Sequence, residues 1–335
     1  MAEVSGKFRH EVKARADFPA VGDWVIASAR SGEGRATIHR VLQRKSKFSR
    51  KIAGKKTEEQ IVAANVDVVF LVSSLNSEFN LRRIERYVTL AWESGAQPVI
   101  VLNKCDLCEN PEDFRSQADA AAIGVRVILA SVCHGDGIAE IREIMRSDSQ
   151  DLFAKKSAGE TNVSAQTGEN VGAKTAALLG SSGVGKSSLI NAILGMQLLD
   201  TGAIRESDDR GRHTTTTRHL IVAPGGGVLI DTPGMRELQL WDASEGLGQA
   251  FGEIAELAMN CKFRDCKHMN EPGCAVRGAV DSGTLDPERL ESFHKLEREE
   301  KFVAAKQDAA VRAEQTKALK RTMRKVNRFY RDRGL

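Results

Sequence analysis

No apolar run in these 335 residues approaches the roughly 18–20 that a membrane span needs. The stretch from Met1 to His10 is polar and charged and lacks the apolar centre of a secretory signal. Both absences point to a cytoplasmic protein with no membrane partner. Outside the secretory route an even cysteine count is a poor argument for disulfides, so Cys105, Cys108 and Cys133 read as reduced core thiols. There is no internal repeat, which excludes solenoids and propellers. Acidic residues are missing altogether from Arg35 to Lys56, where nine Lys or Arg fall. Arg312 to Leu335 holds nine basic residues against two acidic ones. The net charge of +4 therefore divides into two basic ends and an acidic middle, a distribution that suits a polyanion such as nucleic acid.

The length suits two or three domains, and 41% apolar with 28% charged residues is ordinary for a soluble globular chain. Ala20 to Ile26 and Ala36 to Leu42 alternate like strands, with turn signals at Gly22-Asp23 and from Ser31 to Gly34. This reads as a small β-domain over residues 1–55, with Lys45 to Lys56 as a basic connector. Over residues 60–243 the pattern becomes strand–helix alternation. Strands are expected at Val66–Val72, Pro98–Leu102, Val125–Leu129, Ala176–Leu179 and Val228–Ile230. Helices are expected at Leu81–Glu93, Pro111–Ile123, Gly137–Met145 and Lys186–Leu194. Such alternation predicts a doubly wound α/β sheet. Ser157 to Gly172 reads as a flexible linker. Residues 244–335 read as helical around a cysteine cluster, with one or two long helices from Pro287 to about Tyr330.

Gly180-Ser181-Ser182-Gly183-Val184-Gly185-Lys186-Ser187 fits G-x-x-x-x-G-K-S between a strand and a helix. Gly183 and Gly185 let backbone N–H groups curl toward phosphates, and the helix N-terminus adds positive potential. Lys186 can reach the β- and γ-phosphates, and the Ser187 hydroxyl can bind Mg²⁺. Ser188 extends this phosphate-binding set into the helix. Asp231-Thr-Pro-Gly234 follows the last strand, where an acid can hold Mg²⁺ and the Gly234 N–H can sense a γ-phosphate. Asn103-Lys104-Cys105-Asp106 has the form N-K-x-D. The Asp106 carboxylate can accept both N–H groups of guanine's N1/N2 edge, a pair adenine lacks. Asn103 can contact the other edge and the Lys104 stem can cover its face. Ser131 and Val132, after the next strand, offer a backbone N–H to guanine O6. The base reader precedes the phosphate loop, so the sheet must be circularly permuted. Cys261, Cys266, His268 and Cys274 offer three thiolates and an imidazole, which suit one structural, tetrahedral Zn²⁺.

Taken together these motifs, in this order, resemble the circularly permuted, small-subunit-dependent GTPases known as the RsgA or YjeQ family. Pro19 to Val25 looks like part of that family's N-terminal OB domain, whose completeness the sequence leaves open. The resemblance implies a GTPase of late small-subunit maturation, stimulated by the subunit, with Mg²⁺ beside GTP or GDP. It also implies contact with ribosomal RNA, a monomer, and a C-terminal helical zinc domain. By the same resemblance His213, in Gly211-Arg212-His213, is a catalytic residue, the other reading being a solvated or RNA-contacting side chain. Thr215, one of the run Thr214 to Thr217, is the Mg²⁺-binding switch threonine. Met235 stands where Ras-like proteins carry a water-orienting Gln, and a Met cannot do that work. The rival readings are a switch GTPase with a protein partner, and an RNA-binding module whose nucleotide is only structural.

Overall fold

The computed structural model describes residues 2–12, 14–30, 34–51, 59–76, 79–146, 173–199, 219–231 and 244–305. The N-terminal region holds, in order, β1 (Ala2–Val4), α1 (Gly6–Glu11), β2 (Val25–Arg30), β3 (Arg35–Val41), β4 (Lys47–Lys51) and β5 (Glu59–Ala64). β3 lies between a parallel β1 and an antiparallel β2, while β4 and β5 pair antiparallel. The strand expected from Ala20 begins only at Val25. Ahead of it the Asp23 carboxylate accepts from the Ala20 N–H at 2.8 Å, and the Asp23 N–H bonds Ala20 O at 3.2 Å. These bonds close a turn through Gly22 at φ +90°, and that turn chemistry overrides the alternation. Lys45 to Lys56, expected as a connector, contains β4. Its period of two is real, with Phe48 buried beside an exposed Lys47, but charge on the outer face hides it.

The central sheet follows from near-continuous apolar runs. Its elements are β6 (Val68–Ser74), α2 (Leu81–Ser94), β7 (Gln97–Asn103), α3 (Pro111–Ala121), β8 (Arg126–Ala130), α4 (Ile138–Arg146), β9 (Thr175–Leu179), α5 (Lys186–Leu194), β10 (His219–Val222) and β11 (Val228–Asp231). The strand order is β10-β11-β9-β6-β7-β8, parallel except for the edge strand β10. Both faces are buried. Val69, Leu71, Ile100 and Leu102 join Ile84, Val88 and Ala118 of α2 and α3 on one side. Val68, Phe70, Val99 and Val101 join Ile138, Ile141, Leu189 and Ile190 of α4 and α5 on the other. The strands before the linker region thus occupy one half of the sheet and those after it the other, meeting where β6 pairs with β9. The expected linker, Ser157 to Gly172, lies outside the described residues.

The C-terminal region holds α6 (Ser244–Ala250), α7 (Gly252–Ala258), α8 (Ala275–Asp281) and a helix α9 over 287–305. The further course of the helix expected from Pro287 to Tyr330, with its basic end, lies outside the described residues. Phe251, Ile254, Val276 and Leu290 share one apolar cluster with α2 and α3. Through it runs a buried charge network. Arg289 of α9 donates to Glu85 of α2 at 2.9 Å, to Glu253 of α7 at 2.7 Å, and to the carbonyls of Ala121 and Ala250 at 2.6 Å each. Its guanidinium also lies 4.1 Å from the Phe251 ring centroid, and Ser292 donates to Glu85. No described helix is long and apolar enough to cross a membrane.

Removing one member of such a network strands a buried charge, which costs about 3–5 kcal/mol. Arg289→Ala should lower stability by that order in chemical denaturation, and replacing Glu85 with Leu in the same chain should recover part of it. An unchanged unfolding midpoint would remove Arg289 from the forces that seat α9.

Candidate functional site: a nucleotide cleft and a thiolate cluster

Loops after β6, β7, β8 and β9 gather at the carboxyl edge of the sheet, where doubly wound folds bind ligands. The β9–α5 loop bends through Gly183 at φ +80° and Gly185 at φ +92°, so the backbone takes the left-handed turns the motif requires. A Cβ on Gly180 would stand 2.3 Å from Val72 O, and one on Gly185 2.5 Å from Asn103 Nδ2. Both glycines are therefore demanded by close approach. Lys186 opens α5 and donates to Gly180 O at 2.7 Å and Ser181 O at 2.5 Å, so its ammonium lies over the loop. Ser187 and Ser188 stand half-buried in the first turn of α5, and Ser182 and Gly183 are exposed.

The Asn103–Asp106 segment meets this loop directly. Asn103 ends β7 with 2% exposure, and its Nδ2 donates to Val184 O at 2.8 Å. Its Oδ1 is buried and has no partner among the described residues. Lys104, in left-handed conformation at φ 62°, donates to Gly183 O at 2.8 Å. Asp106 lies on the turn that follows. A hydrogen bond from the Ser131 hydroxyl, foremost, holds its carboxyl below the usual carboxylate range, with His134 and Lys104 adding to the effect. The Ser131 N–H is engaged by Asp136 O at 3.1 Å, so of the two backbone donors expected for a base carbonyl Val132 is the one available among the described residues. Nothing in the local pattern hinted at the Ser131 side-chain role. That pattern also missed Arg83 of α2, whose Nη1 donates to Ser181 Oγ at 2.8 Å across 98 residues of chain.

Asp231 ends β11, two strands from β6 and paired in register with His219 of β10. Burial pushes its carboxyl above the usual range, while the charges of His219 and Lys186 pull it back. His213, Thr215, Gly234 and Met235 lie outside the described residues. Of the three cysteines expected in the core, Cys105 and Cys108 are half-buried against it, but Cys133 is exposed. It follows Ser131 and Val132 in the loop after β8, where cleft-forming turns keep side chains at the surface.

In the C-terminal region, Cys261, Cys266, His268 and Cys274 bring their ligand atoms within 4.8 Å of one another. His268 Nδ1 lies 3.6 Å from Cys261 Sγ and 3.5 Å from Cys274 Sγ, and those sulfurs are 3.9 Å apart. With Zn–S near 2.3 Å and Zn–N near 2.0–2.1 Å, tetrahedral donors lie about 3.5–3.8 Å apart, so the set fits Zn²⁺. Burial, foremost, and the neighbouring His294 hold the His268 imidazole below its ordinary value, which favours the neutral, ligating form. Glu271 orders the loop between the ligands, accepting from the N–H groups of Lys267, Met269 and Asn270 at 2.9–3.1 Å.

The family model of the RsgA GTPase matches residues 41–159 and 151–241. The chain belongs to the RsgA GTPase family. It is 45% identical over 316 residues to the small ribosomal subunit biogenesis GTPase RsgA of Opitutus terrae, covering 92% of this chain and 79% of that one. To RsgA 2 of Lactiplantibacillus plantarum it is 43% identical over 335 residues, covering 99% and 87%. Among solved structures, YjeQ from Thermotoga maritima superposes with a TM-score of 0.61 at 28% identity, over 89% of each chain. YloQ, described as a circularly permuted GTPase, gives 0.57 at 26% identity, over 90% of this chain and 85% of that one. This RsgA GTPase is thus a GTP-hydrolysing enzyme on a permuted α/β sheet, and its guanine-type motif touches its phosphate-type loop.

Because hydrogen bonding from Ser131 depresses the Asp106 pKa, the carboxylate stays charged to lower pH than a free one and loses its charge only as pH falls through that depressed value. Ser131→Ala should move this loss upward. In titrations with fluorescent GDP carried from about pH 6 down to about pH 3, across the ordinary carboxylate range, the variant should lose affinity at a higher pH than the parent. Coincident pH profiles would show that Ser131 does not tune the base reader.

Proposed function

We propose that this RsgA GTPase binds GTP with Mg²⁺ in the carboxyl-edge cleft and hydrolyses it to GDP and phosphate on the small ribosomal subunit, late in that subunit's maturation. Hydrolysis then drives release. The observation that carries the nucleotide reading is the buried hydrogen bond from Asn103 to Val184 O, which makes one cleft from two distant motifs.

In this reading Asp106 accepts from the guanine N1/N2 edge, Asn103 and Lys104 frame the base, and the Val132 N–H meets its O6. N–H groups of Gly180, Ser181, Ser182, Gly183, Val184 and Gly185 cradle the phosphates, with Ser188 continuing the cradle into α5. Lys186 neutralises charge on the β- and γ-phosphates as the bond to the leaving group breaks. Ser187 and Thr215 would hold Mg²⁺, which would supply further neutralisation of the phosphate charge. Asp231 anchors that shell and Gly234 senses the γ-phosphate. His213 orients the attacking water, a task Met235 cannot perform. Cys261, Cys266, His268 and Cys274 hold one structural Zn²⁺, whose role is folding of the C-terminal region. The division is an OB-type RNA-binding part over 1–55, a GTPase part over 60–243 and a zinc-binding helical part over 244–335. The protein works as a cytoplasmic monomer, and its two basic ends meet ribosomal RNA.

The names of the curated relatives support the ribosomal assignment, as does the charge distribution. Partner-supplied groups accelerate GTPases by about 10³–10⁵. Phosphate release from GTP should therefore be slow alone and rise at least about tenfold with purified small subunits, but not with large subunits or with ATP. A rate that small subunits leave unchanged would overturn the ribosomal assignment.

A further inference from the structure

Helix α2 is anchored on two sides. On one side Arg82 pairs with Glu291 at 2.9 Å, Arg86 pairs with Glu299, and Glu85 accepts from Arg289 and Ser292, all of α9. At its start Asn80 caps the helix, with Oδ1 accepting from the Arg83 N–H at 3.0 Å. Arg83, fixed between these anchors, turns to the phosphate loop, where Nη1 donates to Ser181 Oγ at 2.8 Å. Ser181 and its neighbour Gly180 are also the residues whose carbonyls accept from the Lys186 ammonium. The lysine of this motif attends the β- and γ-phosphates, so Arg83 grips the γ-side end of the loop. A charge-assisted bond presented from a packed helix is suited to hold a reacting geometry.

We propose that Arg83 is a positioning residue for GTP hydrolysis: through Ser181 it holds the γ-side end of the phosphate loop in register with the scissile bond. This rests on reading Gly180–Ser187 as the phosphate loop. Arg83 contributes no proton and no bond to the reaction. It removes freedom from the loop whose N–H groups meet the charge that develops on the γ-phosphate. Small displacements of such groups are costly in rate, on the order of a hundredfold for about 1 Å, whereas binding of the base and the α- and β-phosphates is carried elsewhere. The signature is therefore a fall in kcat with little change in GDP affinity.

The test uses the full chain and five variants, with single-turnover GTP hydrolysis, fluorescent-GDP titration and thermal melting as readouts. Arg83→Ala should lower the hydrolysis rate about tenfold while GDP affinity stays within about threefold and the melting temperature holds. Ser181 has an ordinary backbone conformation, so Ser181→Ala is accommodated without strain and should give the same loss. The double variant should be no slower than Arg83→Ala, because Ser181→Ala removes a bond already lost there. Arg83→Lys, which keeps one donor, should recover part of the rate. If Arg83→Ala does not fold, Ser181→Ala and Arg83→Lys carry the test alone. The proposal is overturned if these variants hydrolyse GTP at the parent rate, if the two losses multiply in the double variant, or if GDP affinity falls as far as the rate. Lys186→Ala, run alongside, separates the two readings: full turnover in that variant would sink the phosphate-loop assignment itself, whereas an inactive Lys186→Ala beside a fully active Arg83→Ala sinks only the role of Arg83.

Discussion

The hydrogen bond from Asn103 Nδ2 to Val184 O spans 81 residues of sequence and almost no distance in space. It is buried, and it joins the segment that ends β7 to the loop that follows β9. Permutation makes that bond matter. When the half bearing N-K-x-D comes first and the half bearing the Gly180–Ser187 loop last, no local connection sets their relative position. The sheet register sets it instead. β6 pairs with both β7 and β9, so Asn103 and the Gly180–Lys186 loop emerge side by side at one edge. Gly185 completes the joint, since any side chain there would strike the Asn103 amide.

A second consequence of the permuted order is that β11, with Asp231 at its end, leads on into the C-terminal helices. Those helices do not sit apart. Phe251, Ile254, Val276 and Leu290 lie in the same apolar cluster as the α2 and α3 face of the sheet, and Arg289 is buried among carboxylates and carbonyls from four other helices, α2, α3, α6 and α7. One helix, α2, therefore faces the phosphate loop through Arg83 and α9 through Arg82, Glu85 and Arg86. The cleft and the region bearing the thiolate cluster share a packed boundary. Close-packed boundaries transmit displacement, which supplies a physical route between nucleotide and C-terminal region.

Much of the central sheet was legible in the sequence because buried parallel strands are apolar on both faces and stand out as runs, as Val68–Ser74 does. The left-handed turn through Gly183 and Gly185 was legible because glycines and a lysine at that spacing have no other common reason to occur. The clustering of Cys261, Cys266, His268 and Cys274 was legible because three thiols and an imidazole crowd a polar stretch. β4 was not, since lysines and arginines masked a single buried Phe48. Nor was β10, a short edge strand with three of its four side chains exposed, which leaves no apolar signal. The Ser131–Asp106, Arg83–Ser181 and Arg289–Glu85 contacts were invisible for a common reason. Each joins a polar side chain to a distant one through the fold, and such pairs carry no local pattern.

If N-K-x-D and the Gly180–Ser187 loop form one guanine-nucleotide site in spite of their order, Asp106→Asn must change which base is bound. A carboxylate accepts twice and so suits the N1–H and amino group of guanine. An amide accepts once and donates once, which suits the N1–H and carbonyl of xanthine. Equilibrium titrations of the variant with GTP and with xanthosine triphosphate should show GTP weakened on the order of a hundredfold or more and the xanthine nucleotide preferred. Unchanged GTP affinity, or equal weakening of both nucleotides, would contradict the assignment of Asp106 as the base reader and with it the single-site account.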